Sequence, residues 1–481
     1  AEPVISRRRQ QTAPDSTGGV QDVPGVGRRA RSDSPTRNRR DPTRRSTLDE
    51  GAPYKPKALF MAAKCNRGRR FHALYDRIWR GDVLLEAWKR VRANHGAAGI
   101  DGDTIAQIEA EGVERLLETL QAELRGGRYR PCPVRRQYIP KPDGRPRPLG
   151  IPTVRDRVVQ QAAKLVLEPI FEADFEDCSY GFRPKRSATQ AKEAIRLTGG
   201  RGHYWVVDAD IRGFFDAIDQ GILLDRLATR ISDRRVLKLV RKWLEAGGME
   251  DGAVRKATTG TPQGGVISPL LANIYLSALD ETWQRECQHL GRLVRYADDF
   301  VVLCRRQSQA VEAHRRVQAI LTALRLELHP EKTRVVELGI GKEGFDFLGC
   351  HFRIVQSQFK GRRYLFRWPS RRAMAAIREK IRTLTSRRRW AGLKDIRDVI
   401  AVLNPVLRGW GGYFRTGNAS AHFNSVDRYV TERLVRLVGA KCGWKRRPFH
   451  ARAWTHKLFV QAFGLHKLLG TIGYPGSAHA T

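Results

Sequence analysis

Two apolar stretches of this sequence each run into aspartates, and that combination limits what the chain can fold into. The first stretch, HYWVVDADI (203–211), is β-branched and aromatic, which is typical of a buried strand. The second, RLVRYADDFVVLC (292–304), reads as two short strands around a turn with two carboxylates. Ionised carboxylates beside strand cores are costly unless they are paired or metal-bound. The sequence therefore predicts an acidic site formed by Asp210, Asp298 and Asp299.

Three aspartates brought together favour a divalent cation, because their charges repel one another. Oxygen ligands of this kind suit Mg²⁺, which also takes phosphate oxygens. Two such ions can activate a 3′-hydroxyl and stabilise a leaving pyrophosphate in an in-line displacement. The alternative is a polar hairpin turn without a metal, which is the more frequent reading of a lone Asp-Asp pair.

The charge of the chain indicates a polyanionic partner. There are 88 Lys plus Arg against 50 Asp plus Glu, a net charge of +38. Such an excess drives sequence-independent binding to phosphates. Residues 351–481 hold 27 basic and five acidic side chains, whereas residues 59–350 hold 48 and 38. The C-terminal quarter is therefore the predicted nucleic-acid grip, with a solvated basic surface as the alternative.

The remaining bulk features predict a cytoplasmic protein without a membrane span. No apolar stretch approaches the roughly 20 residues that a spanning helix needs. The seven cysteines show no CxxC pair, which favours reduced thiols. Residues 1–58 are rich in Arg, Pro, Ser and Thr and have one aromatic residue, Tyr54, so they are predicted to form a disordered basic arm.

The order of patterns predicts an α+β fold with an appended helical domain. RRQYIPKPDGRPRPLGIP (135–152) reads as a hairpin with Pro-Asp-Gly as its turn. RDRVVQQAAKLVLEPIFEADF (155–175) reads as a helix, and the pattern past residue 370 is almost wholly helical. One predicted helix there carries an apolar face and ends in three consecutive arginines.

Eight motifs, taken in order, closely resemble those of the reverse transcriptases encoded by bacterial group II introns. Each motif alone is weak, but all eight in family order between residues 95 and 349 form a specific signal. They are HGAAGIDG (95–102), YIPKPDGRPRPLGIPTVRDRVVQ (138–160), SYGFRP (179–184), DADIRGFFDAID (208–219), GTPQGGVISPLLANIYL (260–276), RYADDFVVL (295–303), LHPEKT (328–333) and the primer-grip motif FDFLG (345–349). A further stretch (403–438) resembles the maturase, or X, domain of the same proteins.

The resemblance implies a right-hand polymerase. Fingers and palm, with an antiparallel palm sheet and flanking helices, are expected over residues 59–365. An all-helical thumb/maturase domain is expected over 366–444, and a short basic DNA-binding tail over 445–481. The implied activity is RNA-directed DNA synthesis that copies intron RNA into DNA, together with binding of the intron RNA to promote splicing and mobility.

The resemblance also assigns roles at the acidic site. Asp210 and Asp298 would bridge two Mg²⁺ ions, with Asp299 as a third, weaker ligand. Ile211 would offer its backbone carbonyl as an extra metal oxygen. Lys332 is the candidate general acid that protonates pyrophosphate, and a solvated lysine is the alternative.

The nucleotide pocket is implied in the same way. Lys141 and Arg147 would close over the incoming triphosphate. Phe215 would be a steric gate against a ribose 2′-hydroxyl, while its neighbour Phe214 is expected in the core. Gln263 and Gly264 would pack the nascent base pair. Ordinary hairpin charge and a plain glycine turn are the alternatives for the basic pair and for the glycine.

The implied partners are intron RNA, an RNA template with a DNA primer, dNTPs and target DNA. Candidate nucleic-acid contacts in the helical region are Arg387, Arg388, Arg389, Arg408 and Arg415. The protein is expected in the bacterial cytoplasm, with association with the nucleoid as a further expectation.

Two other functions stay open at this point. One is a host-adopted reverse transcriptase that serves in defence, CRISPR adaptation or repair. The other is a splicing maturase whose polymerase is secondary. An RNA-copying RNA polymerase is disfavoured by Phe215. Many family members also end in an H-N-H endonuclease with two cysteine pairs. Only Cys442 lies beyond residue 400, and residues 451–481 contain no acidic residue, so no endonuclease is expected.

Overall fold

The computed structural model describes most of the chain after the predicted arm. The described residues are 54–140, 146–250, 253–255, 260, 264–356, 361, 363–392, 395–441 and 453–473. The predicted arm is therefore outside the described residues up to residue 53. The tip of the predicted hairpin, residues 141–145, is also outside them.

Between residue 54 and the first described strand there are five helices. They are α1 (Pro56–Cys65), α2 (Tyr75–Ile78), α3 (Gly81–Ala93), α4 (Ile105–Glu111) and α5 (Val113–Arg125). Pro56 occupies the first turn of α1, where its missing N–H costs nothing. Residues 56–58, the last three of the predicted arm, are thus helical.

The predicted hairpin and the helix that follows it are both present. Strands β1 (Val134–Pro140) and β2 (Pro146–Ile151) pair antiparallel, and β4 (Gly248–Glu250) and β5 (Ala253–Arg255) extend them into a sheet of order β2-β1-β4-β5. Helix α6 (Val154–Glu172) follows directly, because the Thr153 hydroxyl caps its first turn. Most of α6 is buried, so it forms the centre of this half of the molecule.

A second sheet carries the apolar stretches that run into aspartates. It contains β3 (Trp205–Ala209), β6 (Arg292–Tyr296), β7 (Asp299–Cys304) and β8 (Arg334–Glu337), in the order β6-β7-β3-β8, and every neighbouring pair is antiparallel. The surrounding helices are α7 (Ala188–Gly199), α8 (Phe214–Ala217), α9 (Gln220–Ala228), α10 (Arg234–Glu245), α11 (Ser268–Thr282) and α12 (Gln307–Ala323), and a π-helical turn (Trp283–Cys287) continues α11.

Both faces of this sheet are buried. Val207 and Val302 point into a core that includes residues of α6, α11 and α12. Val206 and Leu303, one position along each strand, point into a core shared with the C-terminal helices. Two buried faces explain why these strands are continuous apolar runs rather than alternating ones.

The C-terminal region is a small sheet followed by helices. Strands β9 (Phe345–Phe347), β10 (Cys350–Gln356) and β11 (Arg363–Pro369) form an antiparallel sheet of order β11-β10-β9. The helices are α13 (Arg371–Leu384), α14 (Ile396–Phe414), α15 (Ser420–Lys441) and α16 (His456–Phe463). The apolar face predicted for α13 is buried at Met374, Ile377, Ile381 and Leu384.

Part of the segment predicted as a DNA-binding tail packs against the C-terminal helices. Phe459, Leu465 and Leu468 are buried in the same core as α14 and α15, so residues 456–468 belong to the helical domain. Their irregular spacing gives no helical stripe, which is why the sequence did not indicate this packing. The basic residues 445–447 lie outside the described residues.

The described part of the chain has the α+β architecture that the sequence predicts, with an antiparallel sheet, flanking helices and a helical end. None of the described helices combines the length and the apolar character needed to cross a bilayer. The six cysteines within the described residues are free thiols.

Candidate catalytic site

The three predicted aspartates meet at one edge of the β6-β7-β3-β8 sheet. Strands β3 and β7 are antiparallel neighbours with Ala209 opposite Phe300, so Asp210 follows β3 beside the first residue of β7, Asp299. Tyr296 pairs with Asp299 across the β6–β7 hairpin, which places Asp298 in its two-residue turn. The register of two strand pairs thus brings together carboxylates that are about 90 residues apart in sequence.

Like charges are crowded at this edge. Burial of the carboxyl group, followed by the negative charges of Asp298, Asp210 and Asp208, raises the pKa of Asp299 to about 6. The Asp299 residue is nevertheless exposed, so its carboxyl lies in an open cleft where solvent reduces the energetic effect. Repulsion among these aspartates gives the site a need for a positive charge.

Asp208 belongs to the same cluster, although the sequence analysis did not select it. Burial raises its pKa to about 6, while the Arg334 guanidinium, 3.5 Å away, acts in the opposite direction. The sequence did contain a signal for Asp208. It lies two residues before Asp210, and residues two apart on a strand share a face of the sheet.

The lysine predicted as a general acid supplies part of the missing positive charge. Lys332 Nζ lies 2.7 Å from a carboxylate oxygen of Asp210. The loop that carries it is tied to the same residue, since the His329 amide donates to the Asp210 carbonyl at 2.8 Å. Lys332 therefore lies at the acidic site, where it balances the charge of Asp210 in this structure.

The donor set fits Mg²⁺ chemically. Within the described residues no three His, Cys, Asp or Glu side chains already have the spacing of a formed metal site. The four aspartates nevertheless offer only oxygen atoms, which is the ligand type that Mg²⁺ prefers. A cation would also relieve the mutual repulsion that raises the pKa of Asp299.

The turn that carries Asp298 has a strained backbone. Ala297 has a φ of 59°, in the left-handed region that residues with a side chain seldom occupy. The segment before α7 packs directly onto this turn, since a Cβ added to Gly181 would lie 2.3 Å from the Ala297 nitrogen. Only glycine fits at position 181 without displacing the turn. Strain of this kind persists where the surrounding structure fixes it, and it is concentrated at functional sites.

Arg295 makes several of the contacts that hold the backbone of this turn. Its side chain is fully buried and forms an ion pair with Asp280 of α11. The guanidinium also donates to the Ala297 carbonyl at 2.8 Å and to the Ser179 hydroxyl at 2.7 Å. The strand backbone at Arg295 pairs with the segment 178–180. One buried arginine therefore ties the turn to a helix, a strand and the segment that contains Gly181.

Ile211 and the two phenylalanines after it lie beside the aspartates. Ile211 lies opposite Leu328 in an isolated bridge. The hydrogen bonds of this bridge run from the Arg212 amide to the Glu327 carbonyl and from the His329 amide to the Asp210 carbonyl. The bridge therefore does not use the Ile211 carbonyl. Phe214 is buried, which confirms its prediction as core, and Phe215 is half-buried with its ring 5.2 Å from that of Phe214.

The other predicted nucleotide-pocket residues are only partly described. Gly264 has a φ of 113°, and a Cβ there would lie 2.5 Å from the Gly150 carbonyl oxygen of β2, so this position requires glycine. Arg147 lies on β2 opposite Ile139. Lys141 and Gln263 lie outside the described residues.

The predicted nucleic-acid contacts are on the surface of the helical region. Arg387, Arg388 and Arg389 follow α13, Arg408 is on α14, and Arg415 follows α14. All five are exposed. No contact within the described residues joins them to the acidic site, so their role depends on a bound polyanion.

Protonation and metal binding should be linked at this site. Because the folded-state pKa of Asp299 lies above the ordinary aspartate value of about 4, the folded chain binds more protons than the unfolded chain between about pH 4 and pH 6. Without a divalent cation, the contribution of Asp299 to the free energy of unfolding should fall as pH rises through this window. Mg²⁺ binds the ionised form, so it should raise the melting temperature more at about pH 7.5 than at about pH 5.

Differential scanning calorimetry with and without Mg²⁺ measures this difference. Asp299→Asn should be more stable than the wild type at neutral pH without metal and should show a smaller response to Mg²⁺. An equal Mg²⁺ effect at the two pH values in the wild type would contradict the linkage.

Comparison with known proteins identifies the family. The family model described as "Reverse transcriptase (RNA-dependent DNA polymerase)" matches residues 139–352, and the model described as "Group II intron, maturase-specific domain" matches residues 374–458. The first match contains all four aspartates and Lys332. The second covers most of α13, all of α14 and α15, and the start of α16.

Similar curated proteins agree with this assignment. "Protein YkfC" of Escherichia coli is 35% identical over 347 residues, which cover 63% of this chain and 89% of that protein. "Group II intron-encoded protein LtrA" of Lactococcus lactis subsp. cremoris is 42% identical over 214 residues, 44% of this chain, but the match spans only 35% of LtrA. A solved "Partial Cas6-RT-Cas1--Cas2 complex" shares 27% identity over 52% of this chain and 42% of that chain, with a TM-score of 0.32. The chain belongs to the family of group II intron reverse transcriptases that carry a maturase-specific domain.

Proposed function

We propose that this chain is an RNA-directed DNA polymerase that copies intron RNA into DNA and binds that RNA to promote splicing and mobility. The observation that carries the proposal is the meeting of Asp210, Asp298 and Asp299 at one sheet edge, with Lys332 beside them. All three aspartates are present in a chain of this family, which favours an active polymerase over a maturase that has lost its metal site.

The aspartates are the proposed metal ligands. Asp210, Asp298 and Asp299 would hold the two Mg²⁺ ions with their carboxylates, and Ile211 would add its backbone carbonyl. Bound Mg²⁺ supplies activation of the primer 3′-hydroxyl and stabilisation of the leaving pyrophosphate. Lys332 gives up its contact with Asp210 in this scheme and delivers a proton from Nζ to a pyrophosphate oxygen.

The residues around the metal site would select and hold the nucleotide. Lys141 and Arg147 flank the fingers turn and would bind the triphosphate. Phe215 follows Asp210 closely in sequence and is half-buried against Phe214, so its ring is well supported for a steric gate. The close approach of Gly264 to β2 connects the proposed base-pair pocket with the fingers hairpin.

The proposed partners follow from the charge and the family. They are the group II intron RNA, an RNA template with a DNA primer, dNTPs and target DNA. The exposed Arg387, Arg388, Arg389, Arg408 and Arg415 would contact phosphates, as the excess of basic over acidic residues in 351–481 favours. The proposed location is the bacterial cytoplasm, in association with the nucleoid. The exact limits of fingers, palm and thumb stay predictions.

Removal of the carboxylate of Asp210 or of Asp298 should abolish polymerisation. In Asp210→Ala and Asp298→Ala, Mg²⁺-dependent primer extension on an RNA template should fall by at least about 100-fold, since even loss of an indirect partner of a metal ligand costs 10–100-fold. RNA binding should survive, because the basic surface is untouched. Asp225→Ala, an exposed aspartate on α9, is the control and should extend primers normally. Wild-type extension rates in either site variant would reject the metal-ligand assignment.

Shortening the proposed gate should relax sugar selection. In Phe215→Val, the ratio of kcat/KM for ribonucleotides to that for deoxyribonucleotides should rise by about tenfold or more, because a removed steric clash in a pocket is worth about that much. Steady-state incorporation of the two nucleotide types in the same preparation measures the ratio and corrects for any loss of active enzyme. An unchanged ratio removes Phe215 from the gate.

A further inference from the structure

A buried lysine outside the acidic site links helix α7 to the C-terminal helices. Lys192 lies on α7, and its side chain is wholly buried. Its Nζ donates to the Tyr413 carbonyl of α14 at 3.1 Å and lies 3.7 Å from the centre of the Tyr413 ring. Burial lowers the pKa of Lys192. A lysine is rarely buried unless its charge has a specific partner.

Tyr413 also contacts a turn that has a strained backbone. Its hydroxyl donates to the Leu348 carbonyl at 2.9 Å. Leu348 and Gly349 form the two-residue turn between β9 and β10, with φ values of 47° and 71°. A leucine with a left-handed backbone is unusual and needs support from its surroundings. The hydrogen bond from Tyr413, and one from the Ser370 amide to the Gly349 carbonyl at 2.9 Å, supply that support.

A second buried cation also joins α7 to the C-terminal region. Arg367 of β11 is almost wholly buried and forms an ion pair with Glu193 of α7 at 3.0 Å. It also donates to the Thr416 carbonyl, after α14, at 2.8 Å. We call Lys192, Glu193, Arg367, Tyr413 and Thr416 the junction. Buried ion pairs add little net stability. Removal of one partner, however, leaves the other charge buried and unpaired, so such pairs favour one arrangement of the elements that they join.

Strands β9 and β10, which the Leu348–Gly349 turn joins, line a cleft that reaches Arg334, the ion-pair partner of Asp208. Asp346 of β9 lies close enough to Asp208 to contribute to its raised pKa. A cleft of about 910 Å³ begins at Arg334, the partner of Asp208, and passes between the β9–β11 sheet and helices α13 and α15. Its lining holds five cationic side chains and two acidic ones, namely Arg334, Lys342, Arg353, Arg371 and Arg378 with Glu343 and Asp346.

We propose that Lys192 is a positioning residue for the polymerase reaction. Through Tyr413 it holds the Leu348–Gly349 turn, and with it the wall of the basic cleft against which the nucleic-acid substrate is placed next to Asp210. The inference rests on the proposed polymerase function, because it assigns the cleft to the template and primer. Lys192 touches none of the reacting groups, and its Nζ also lies beside the thiol of Cys350, the first residue after the turn.

Two substitutions test the connection at its two ends. Tyr413→Phe removes the hydroxyl that binds Leu348 and keeps the ring, while Lys192→Met removes the cation and keeps the length of the side chain. Each should lower the rate constant of first-nucleotide addition in single-turnover primer extension by about fivefold, the effect of one lost hydrogen bond. The KM for dNTP should stay within about twofold, since the metal site is intact. An unchanged rate constant in either variant overturns the proposal.

The double variant separates positioning from general destabilisation. If Lys192 acts through Tyr413, the double variant should be no slower than the slower single variant. Additive losses would mean two independent effects and would overturn the proposal. Lys242→Met is a matched control, because Lys242 also donates to a tyrosine carbonyl, that of Tyr129 at 2.9 Å, but in the N-terminal half. Its rate constant should equal that of the wild type.

Hydrogen exchange gives a readout that does not need activity. Amides of residues 345–352 should exchange faster in Lys192→Met and Tyr413→Phe than in the wild type, and those of Lys242→Met should be unchanged. Unchanged exchange in the first two variants overturns the proposal even if the enzyme is inactive. A wild-type protein that fails to extend primers, with faster exchange in the variants, would instead reject the polymerase assignment and leave the junction supported.

Discussion

The buried ion pair between Arg295 and Asp280 is the interaction on which the catalytic edge depends. Both side chains are wholly inaccessible to solvent, so removal of one partner would leave a buried charge uncompensated, at a cost of roughly 3–5 kcal/mol. The same guanidinium also donates to the side-chain oxygen of Asn273 at 3.1 Å, and Asn273 donates to the Gly181 carbonyl at 2.8 Å. The pair thus holds the segment on which the Asp298 turn rests, as well as the turn itself.

This anchor allows the chain to keep two unfavourable features at one place. Ala297 has a left-handed backbone, and four aspartates crowd the end of the sheet. Neither would persist in a loosely packed hairpin, because the turn would relax and the carboxylates would move apart. The contact of Lys332 with Asp210 offsets part of the repulsion. The remaining imbalance is what a divalent cation would satisfy, so the proposed metal site depends on the rigidity of the core.

Local sequence patterns were sufficient to predict the main strands and helices and the three aspartates that meet at the sheet edge. Asp210, Asp298 and Asp299 could be found because each interrupts an apolar strand, and the buried face of α13 followed from helical spacing. The packing of residues 456–468 was missed, because Phe459, Leu465 and Leu468 have no regular period. The roles of Arg295 and Lys192 were also missed. A charged residue on a strand or helix predicts a solvated face, and only contacts with residues 15 or more positions away reveal that these two are buried.

The dependence of the metal site on Arg295 can be measured directly by calorimetric titration of Mg²⁺ into a double variant, Arg295→Met with Asp280→Leu. Replacing both members of a buried ion pair by apolar groups is often neutral or stabilising, so this protein should remain folded. It would still lack the hydrogen bonds to Ala297 and Ser179, although all four aspartates are present. The account predicts that its affinity for Mg²⁺ falls by at least about tenfold, as for the loss of an indirect partner of a metal ligand. Wild-type affinity in a folded double variant would contradict it.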